Sequence, residues 1–414
     1  MDLIELPKAR LRIGMTLNFT LRDEVGAVLL GKGNRIDSLR QLQGILDRKR
    51  IFVQIDESEE GLRALHSGLS TLNKLGAPIK DFSKHLRLDS PELDRDKLTG
   101  RRLEEKLTGS LDERWGTMES KLGGLLASVK TTENFEHRIQ SLDLHIQSLL
   151  KEDQSGSQFL LFNRAVSDFS SYSVMHSLLC AALVHLLAPL FRLSEQERCS
   201  LVCAALTMNV AMMRLQDALA IQNANPSAVQ RREINNHAAK GVQCLEEACV
   251  TDSRWLEVVS LHHAPLSGPP ALADWTPVQR MAKILQTVDR YTAAMSPRGS
   301  RISRTARDSA LSVVVQAGVA AHDEVGSALV RTLGVYPPGT YVKLTNGEIA
   351  VVICRGLKPA EPLVASVMNR NNQPITGPRR CSTASKDTTI ESSLIASAVK
   401  INLKTAPLLR LIPR

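Results

Sequence analysis

The sequence predicts an α+β protein with a mostly helical body, a small N-terminal α/β unit and a β-rich C-terminal extension. Apolar residues recur at helical spacing through most of the 414 residues, whereas runs typical of strands, bounded by turn residues, lie near the two ends. The length allows two or three domains. We predict four segments: an α/β module at 1–56, a helical connector at 57–155, a helical domain at 156–338 and the extension at 339–414.

The N-terminal module is predicted from two β-rich runs and one helical run. "MTLNFTL" and "AVLL" are typical of strands, and "RDEVG" between them supplies a turn that ends at Gly26. "DSLRQLQGILDRK" has apolar residues at helical spacing, and "IFVQI" closes the module with a third β-rich run. These elements predict a small α/β fold.

The connector carries two short heptad patterns. Apolar residues follow one another at 4-3-4-3 spacing in each, at Leu111, Trp115, Met118, Leu122 and Leu125, and again at Phe135, Ile139, Leu142, Ile146 and Leu149. Each pattern spans only about two heptads. Two structures remain open: a helical hairpin that packs on the next domain, and an intermolecular coiled coil that forms a homodimer.

The body and the extension contain clear local signals. Ser194 followed by Glu197 is a capping box, and the helix it begins should carry residues 199–219. "APLSGPPALADWTP" is rich in Pro and Gly and predicts a loop. "TYVKLTNGEIAVVI" alternates in polarity and turns at Asn346-Gly347, which predicts a β-hairpin.

Charge is concentrated near the C-terminus. Residues 355–414 contain ten Lys or Arg and three acids, a net +7 of the formal +9 of the whole chain. A basic tail can attract nucleic acid or anionic lipid. These charges are scattered among Ser, Thr and Pro, so we expect a solvated basic surface and no nucleic-acid partner.

Cysteine usage and hydropathy predict a cytoplasmic protein. The seven cysteines form no CxxC pair, so small reduced thiols are expected rather than a disulfide framework or a zinc knuckle. The apolar run at 180–191 is too short to span a bilayer, and "MDLIELPKAR" lacks the pattern of a signal peptide. We therefore expect no membrane span.

Five residues of the body could hold metal ions. His176, His237, His262, His263 and Asp289 are of the types that ligate Fe, Mn or Zn. If separate helices bring them together, they could bind a metal pair, which would activate a water and hold a phosphate. The alternative is structural: buried histidines with single hydrogen bonds, and an ion pair of Asp289 with Arg290.

Several short motifs follow one another along the body. They are "HS" at 176–177, "AAL" at 204–206, "HAAKG" around His237, "HH" at 262–263, "VDRYTAAMSPR" around Asp289 and "LGVYPPGTYVKLTNGEIAVV". Their order resembles the HD-GYP family. The family belongs to the HD superfamily of metal-dependent phosphohydrolases, and its members hydrolyse the bacterial second messenger cyclic di-GMP. The resemblance covers His176 to about Val352, and "LRIGMTLNFTLRDEVGAVLLGKG" looks like a module often placed before HD-GYP domains. It implies an HD-type helical domain.

The sequence departs from that family at its signature residues. Met208 and Asn209 stand where members carry the His-Asp doublet, Ala211 replaces a Gly, and Met212 replaces a Lys. In the second signature, Ala264 replaces a Glu, Ser267 replaces an Asp, and Gly-Tyr-Pro is missing. The resemblance assigns the lost Asp to bridging two metals, which a neutral Asn cannot do.

The sequence therefore predicts a catalytically degenerate HD-GYP-like protein of bacterial cyclic di-GMP-type signalling. It would bind a protein partner, or a cyclic dinucleotide, without hydrolysis and without a required cofactor. One alternative is a phosphodiesterase in which His237, His262 and His263 hold a single Zn, Fe or Mn ion. The other is a dimeric structural adaptor. Arg298 and Arg301 could reach a ligand phosphate from their loop, or could be solvated.

Overall fold

The computed structural model describes most of the chain after residue 106 and short stretches before it. The described residues are 3–5, 17, 20–23, 25–31, 34–36, 44–45, 48, 51–54, 107–167, 171–269, 271–296, 304–314, 323–399, 401 and 403–413. The chain divides into two compact units, Met1–Arg102 and Leu103–Arg414, which are described separately below.

The N-terminal unit contains an antiparallel sheet. Its strands are β1 (Leu3–Glu5), β2 (Leu21–Arg22), β3 (Val28–Leu30) and β4 (Phe52–Gln54), in the order β1-β4-β2-β3. The pairing of β2 with β3 confirms the predicted turn, in which Gly26 has φ +89° and Asp23 Oδ1 accepts hydrogen bonds from two turn amides. Most of the predicted helix after Asp37 lies outside the described residues.

The larger unit is mostly helical, as predicted. Within the described residues its α-helices are α1 (Leu111–Ala127), α2 (Phe135–Glu152), α3 (Gln154–Ser167), α4 (Tyr172–Leu187), α5 (Glu195–Thr207), α6 (Met213–Ile221), α7 (Ala228–Glu247), α8 (Ser253–Leu261), α9 (Pro277–Met295), α10 (Ala306–Val314), α11 (Glu324–Leu333) and α12 (Thr405–Leu409). A sheet follows α11, so the α+β class is confirmed.

The heptad residues of α1 and α2 are buried inside the chain. Trp115 and Met118 of α1 and Ile139 of α2 belong to the same apolar core as Leu178 of α4 and Leu285 of α9. Helix α1 begins with a Ser110 capping box. Burial of these side chains within one chain favours the helical hairpin over the intermolecular coiled coil.

Helix α5 begins as predicted but ends earlier than predicted. Ser194 caps it with Glu197, whereas its last residue is Thr207, and the prediction of one helix through residue 219 was wrong. Asn209 has φ −102° and ψ 12°, and the Met212 amide donates to its carbonyl in a tight turn before α6. Neither Pro nor Gly marks this break, so helical periodicity did not reveal it.

The stretch Glu195–Ile221 is apolar and long enough to cross a membrane by length and composition. It contains the break after Thr207, and 67% of its most apolar window is buried within the structure. Burial of this kind is typical of a core helix of a globular protein.

The C-terminal sheet is antiparallel and shares the helical core. Its strands are β5 (Tyr341–Leu344), β6 (Ile349–Cys354), β7 (Leu363–Met368), β8 (Pro374–Ser382) and β9 (Ile390–Leu394), in the order β8-β7-β6-β5-β9. The β5–β6 hairpin confirms the turn predicted at Asn346-Gly347, where Gly347 has φ +83°. Tyr341, Val351 and Ile353 join the core formed by the helices.

Candidate functional site

The five predicted site residues come together from four helical segments. His176 lies on α4, His237 on α7, His262 and His263 directly after α8, and Asp289 on α9. All but His262 line one cavity of about 660 Å³, and His262 is buried beside it, in contact with His237. Residues more than 100 positions apart thus meet because α4 packs against α9 and α7 against α8.

The Nε2 atoms of His237 and His262 point towards each other. The Nδ1 atoms are 2.5 Å from the carbonyl oxygen of Ile234 and 2.6 Å from that of Val259, respectively. These carbonyls can only accept, so they assign the ring proton to Nδ1 in both residues. Each Nε2 then carries a lone pair, and the two Nε2 atoms are 2.9 Å apart. Such a contact is favourable only when a proton or a cation is shared.

Burial disfavours the shared proton. It lowers the pKa of His262 to about 3, and the neighbouring His263 lowers it further. Burial also lowers the pKa of His237. His263 completes the group, with ring centroids 4.2 Å from His262 and 5.0 Å from His237. Three imidazoles, two of them oriented by backbone carbonyls, fit a single divalent cation such as Zn²⁺.

His176 and Asp289, which also line the cavity, form a buried charged pair. His176 Nε2 lies 2.8 Å from Asp289 Oδ1. Burial opposes charge on both groups, but contacts with Cys180 and Asp289 raise the pKa of His176 well above its usual value. Burial by itself would raise the pKa of Asp289. The hydrogen bond from His176 and the positive charge of its ring outweigh burial and hold the pKa of Asp289 below its usual value.

The ion pair of Asp289 with Arg290, the structural alternative left open by the sequence, is not formed. Asp289 is bonded to His176, while Arg290 Nη2 lies 3.9 Å from Asp323 and is half exposed. The two neighbours point in different directions because successive residues of a helix are about 100° apart. Arg290 nevertheless lines the cavity, as does Arg304.

The residues at the doublet positions lie at the break after α5. Met208 is fully buried in the apolar core, and Met212 lines the cavity. Asn209 also lines the cavity and is 5% exposed, and its Oδ1 has no hydrogen-bond partner. An unpaired buried amide oxygen costs about 1–3 kcal/mol, so a cavity occupant that donates a hydrogen bond to Asn209 Oδ1 would be stabilised there.

The cavity wall offers few carboxylates for a metal pair. The only carboxylates among the described residues that line the cavity are Asp289 and Asp323, and Asp323 is bonded to Lys283 at 2.5 Å. Two divalent ions about 4 Å apart repel by about 17 kcal/mol at an effective dielectric constant of about 20. A neutral Asn209 between them leaves most of that repulsion uncompensated.

Arg298 and Arg301 lie outside the described residues. Two features of the site were not predicted from the sequence. Arg304 lines the cavity just before α10. Asp217 of α6 accepts hydrogen bonds from the Ser173 amide at 2.8 Å and hydroxyl at 3.0 Å, which fixes α6 to the start of the helix that carries His176. A contact across 44 residues leaves no local signal in a sequence.

Comparison with known proteins gives one structural likeness. No family model and no curated protein matches the chain. A solved structure described as "Bd1817, a HDG"Y"P protein from Bdellovibrio bacteriovorus" has a TM-score of 0.41 and 11% sequence identity to this chain. It matches over 79% of this chain and 98% of its own length. A likeness of this degree leaves function to be argued from the residues of the site.

Proposed function

We propose that this chain is a catalytically degenerate HD-GYP-like protein of bacterial cyclic di-GMP-type signalling, which binds a ligand in its cavity without hydrolysing it. One observation carries the proposal: the cavity keeps His176, His237, His263 and Asp289, while the doublet positions hold a buried methionine and a neutral amide. The scaffold for binding is therefore present without the charge that paired-metal hydrolysis needs.

The cavity suits an anionic ligand of nucleotide size. Its volume of about 660 Å³ is within the range of small-molecule sites. Arg290 and Arg304 supply cationic groups at its wall, and guanidinium groups match phosphate oxygens in geometry. A cyclic dinucleotide has two phosphates and meets these requirements. A protein partner would then recognise the bound or the free form, in the cytoplasm.

Binding and hydrolysis can be measured on the same protein. We expect cyclic di-GMP to bind by isothermal titration calorimetry and to remain intact during incubation with Mn²⁺ or Fe²⁺. Arg304→Ala should weaken binding about tenfold or more, because it removes a charged contact to phosphate. Arg307→Ala is the matched control, since Arg307 is exposed on α10, three residues after Arg304, and does not line the cavity.

Metal-dependent hydrolysis that His237→Ala abolishes would overturn the proposal. A gain-of-function variant tests the same reasoning from the other direction. Met208→His combined with Asn209→Asp should raise the metal content from at most one ion to two ions per chain, as measured by mass spectrometry of the metals. If the folded double variant binds no more metal than the wild type, the missing His-Asp doublet is not the reason that the site lacks a metal pair.

A phosphodiesterase with a reduced metal site is the second candidate. The observation that favours it is the 2.9 Å contact between His237 Nε2 and His262 Nε2, which suits one shared cation. A single ion could still activate a water. The hydrolysis assay above separates the two candidates. Homodimerisation stays a prediction, and the mass of the protein in solution tests it.

A further inference from the structure

We propose that His176, Cys180 and Asp289 form a sulfur-containing site for one zinc-type divalent ion. Cys180 takes no part in the resemblance to the HD-GYP family, and the proposed function does not use its thiol. The inference does not require that the cavity bind a nucleotide. The Nε2, Sγ and carboxylate oxygen atoms of the three residues all lie within 4.8 Å of one another.

The distances approach those of a tetrahedral site. Cys180 Sγ is 3.7 Å from His176 Nε2, and Nε2 is 2.8 Å from Asp289 Oδ1. With Zn–S of about 2.3 Å and Zn–N or Zn–O of about 2.05 Å, tetrahedral angles require about 3.6 Å and about 3.3 Å, respectively. The distance from sulfur to nitrogen therefore already matches a tetrahedral site, and the distance from nitrogen to oxygen must lengthen by about half an ångström.

Neighbouring groups orient the ligand atoms. His176 and Cys180 are one helical turn apart on α4, so their side chains point to the same side. The Thr292 hydroxyl donates to the carbonyl of Val288 and lies 3.4 Å from His176 Nδ1, where it can accept the Nδ1 proton. Tyr172 stacks on the His176 ring with an interplanar angle of 15°. The Thr292 hydroxyl also lies 3.2 Å from Cys180 Sγ. These contacts turn His176 Nε2 towards Asp289 and the thiol, and a metal would replace the hydrogen bond of Nε2 with Asp289, as outer-sphere partners commonly permit.

Charge decides between the two candidate metal groups. Metal coordination deprotonates a thiol, so Cys180 and Asp289 would supply two negative charges, which neutralise one divalent ion. The group of His237, His262 and His263 supplies none. Coordination releases the Cys180 proton and the Nε2 proton of His176 to solvent. A single ion therefore prefers the group that contains the thiol.

The sulfur atom also selects the kind of metal. Thiolates favour zinc, whereas carboxylates and water suit Mg and Mn. Both His176 and Asp289 line the cavity, which gives an ion a route from solvent to the buried thiol. The site would thus hold a zinc-type ion without assembling a pair of iron or manganese ions.

Cobalt substitution reports the thiolate directly. The full chain, stripped with a chelator, is titrated with Co²⁺ and then with Zn²⁺. We expect one ion per chain and a near-ultraviolet charge-transfer band from cobalt–thiolate coordination, lost when Zn²⁺ displaces Co²⁺. Cys180→Ser should abolish the band and weaken Zn²⁺ binding more than about 100-fold, beyond the effect of an outer-sphere change.

Two variants serve as controls. Cys249→Ser changes an exposed cysteine remote from the site and should leave the band intact. His237→Ala should also leave it intact, because His237 belongs to the other group. The inference fails if wild-type protein binds Co²⁺ without a thiolate band, if His237→Ala removes the band, or if no ion binds. The wild-type spectrum stands even if Cys180→Ser does not fold, and none of these outcomes depends on nucleotide binding or hydrolysis.

Discussion

Acid should destabilise the metal-free protein through His262. Its pKa is about 3 in the folded state, against a usual value of 6.5, because the ring is buried. The folded state therefore binds fewer protons than the unfolded state below pH 6.5. The stability that the neutral ring contributes is fully present above pH 6.5 and is lost as pH falls from 6.5 towards 3.

The size of the effect follows from the two pKa values. One pKa unit corresponds to about 1.36 kcal/mol, so His262 should lower the free energy of unfolding by about 2 kcal/mol between about pH 7 and about pH 5. His237 adds to this loss because its pKa is also lowered. His176 acts in the opposite direction, since its raised pKa adds stability as pH falls, so wild-type protein must be compared with a variant.

The assay is urea unfolding at several pH values in the presence of a chelator. The difference in stability between wild type and His262→Gln should shrink by about 2 kcal/mol from about pH 7 to about pH 5. His263→Gln, which changes an exposed ring, should keep most of the wild-type pH dependence. Parallel stability curves for wild type and His262→Gln would refute the assignment.

Two further predictions concern packing and buried charge. Gly326→Ala should destabilise the protein by about 2 kcal/mol or more, because the added Cβ would lie 2.0 Å from the carbonyl oxygen of Val313. Gly124→Ala, where no atom lies within 4 Å of the added Cβ, should stabilise it by about 0.5–1 kcal/mol. Thermal unfolding compares the two variants, and equal shifts in melting temperature would contradict the contact at Gly326. Asp143→Ala should cost about 3 kcal/mol in urea unfolding, because it removes the buried carboxylate that lies 2.7 Å from the Arg198 guanidinium and leaves only the exposed Glu195 as its anionic partner. A loss below about 1 kcal/mol would contradict this.

Local sequence signals predicted the helices and strands, but they did not predict the break between α5 and α6. The capping box at Ser194 and the turn at Gly347 are each encoded within a few residues, and both are confirmed. No Pro or Gly marks the break at Asn209, and the packing of α6 against α4 beyond the break is not visible in the sequence.

The sequence predicted which residues could form the site, but it did not predict their contacts with one another. The sequence places His176, His237, His262, His263 and Asp289 among the candidate ligands, and the structure brings them together. The sequence could not divide these residues into the group of three histidines and the group that contains Cys180. The contact between His237 Nε2 and His262 Nε2, and the position of the Cys180 thiol beside His176, both depend on helix packing. The ion pair of Asp289 with Arg290, the structural alternative, rested on sequence proximity, whereas the hydrogen bond of Asp289 with His176 spans 113 residues.

The sheet and the helices are coupled at Gly339. A Cβ there would lie 2.5 Å from the Asn163 amide nitrogen and 2.7 Å from the Phe159 carbonyl oxygen, so the chain entering β5 runs directly against helix α3. Strand residues complete the apolar core that begins in α1. Truncation after residue 338 would therefore expose the interior of the helices rather than release an independent module. A shortened protein for expression should instead begin near Leu103, where the compact units divide, and should retain the sheet and α12.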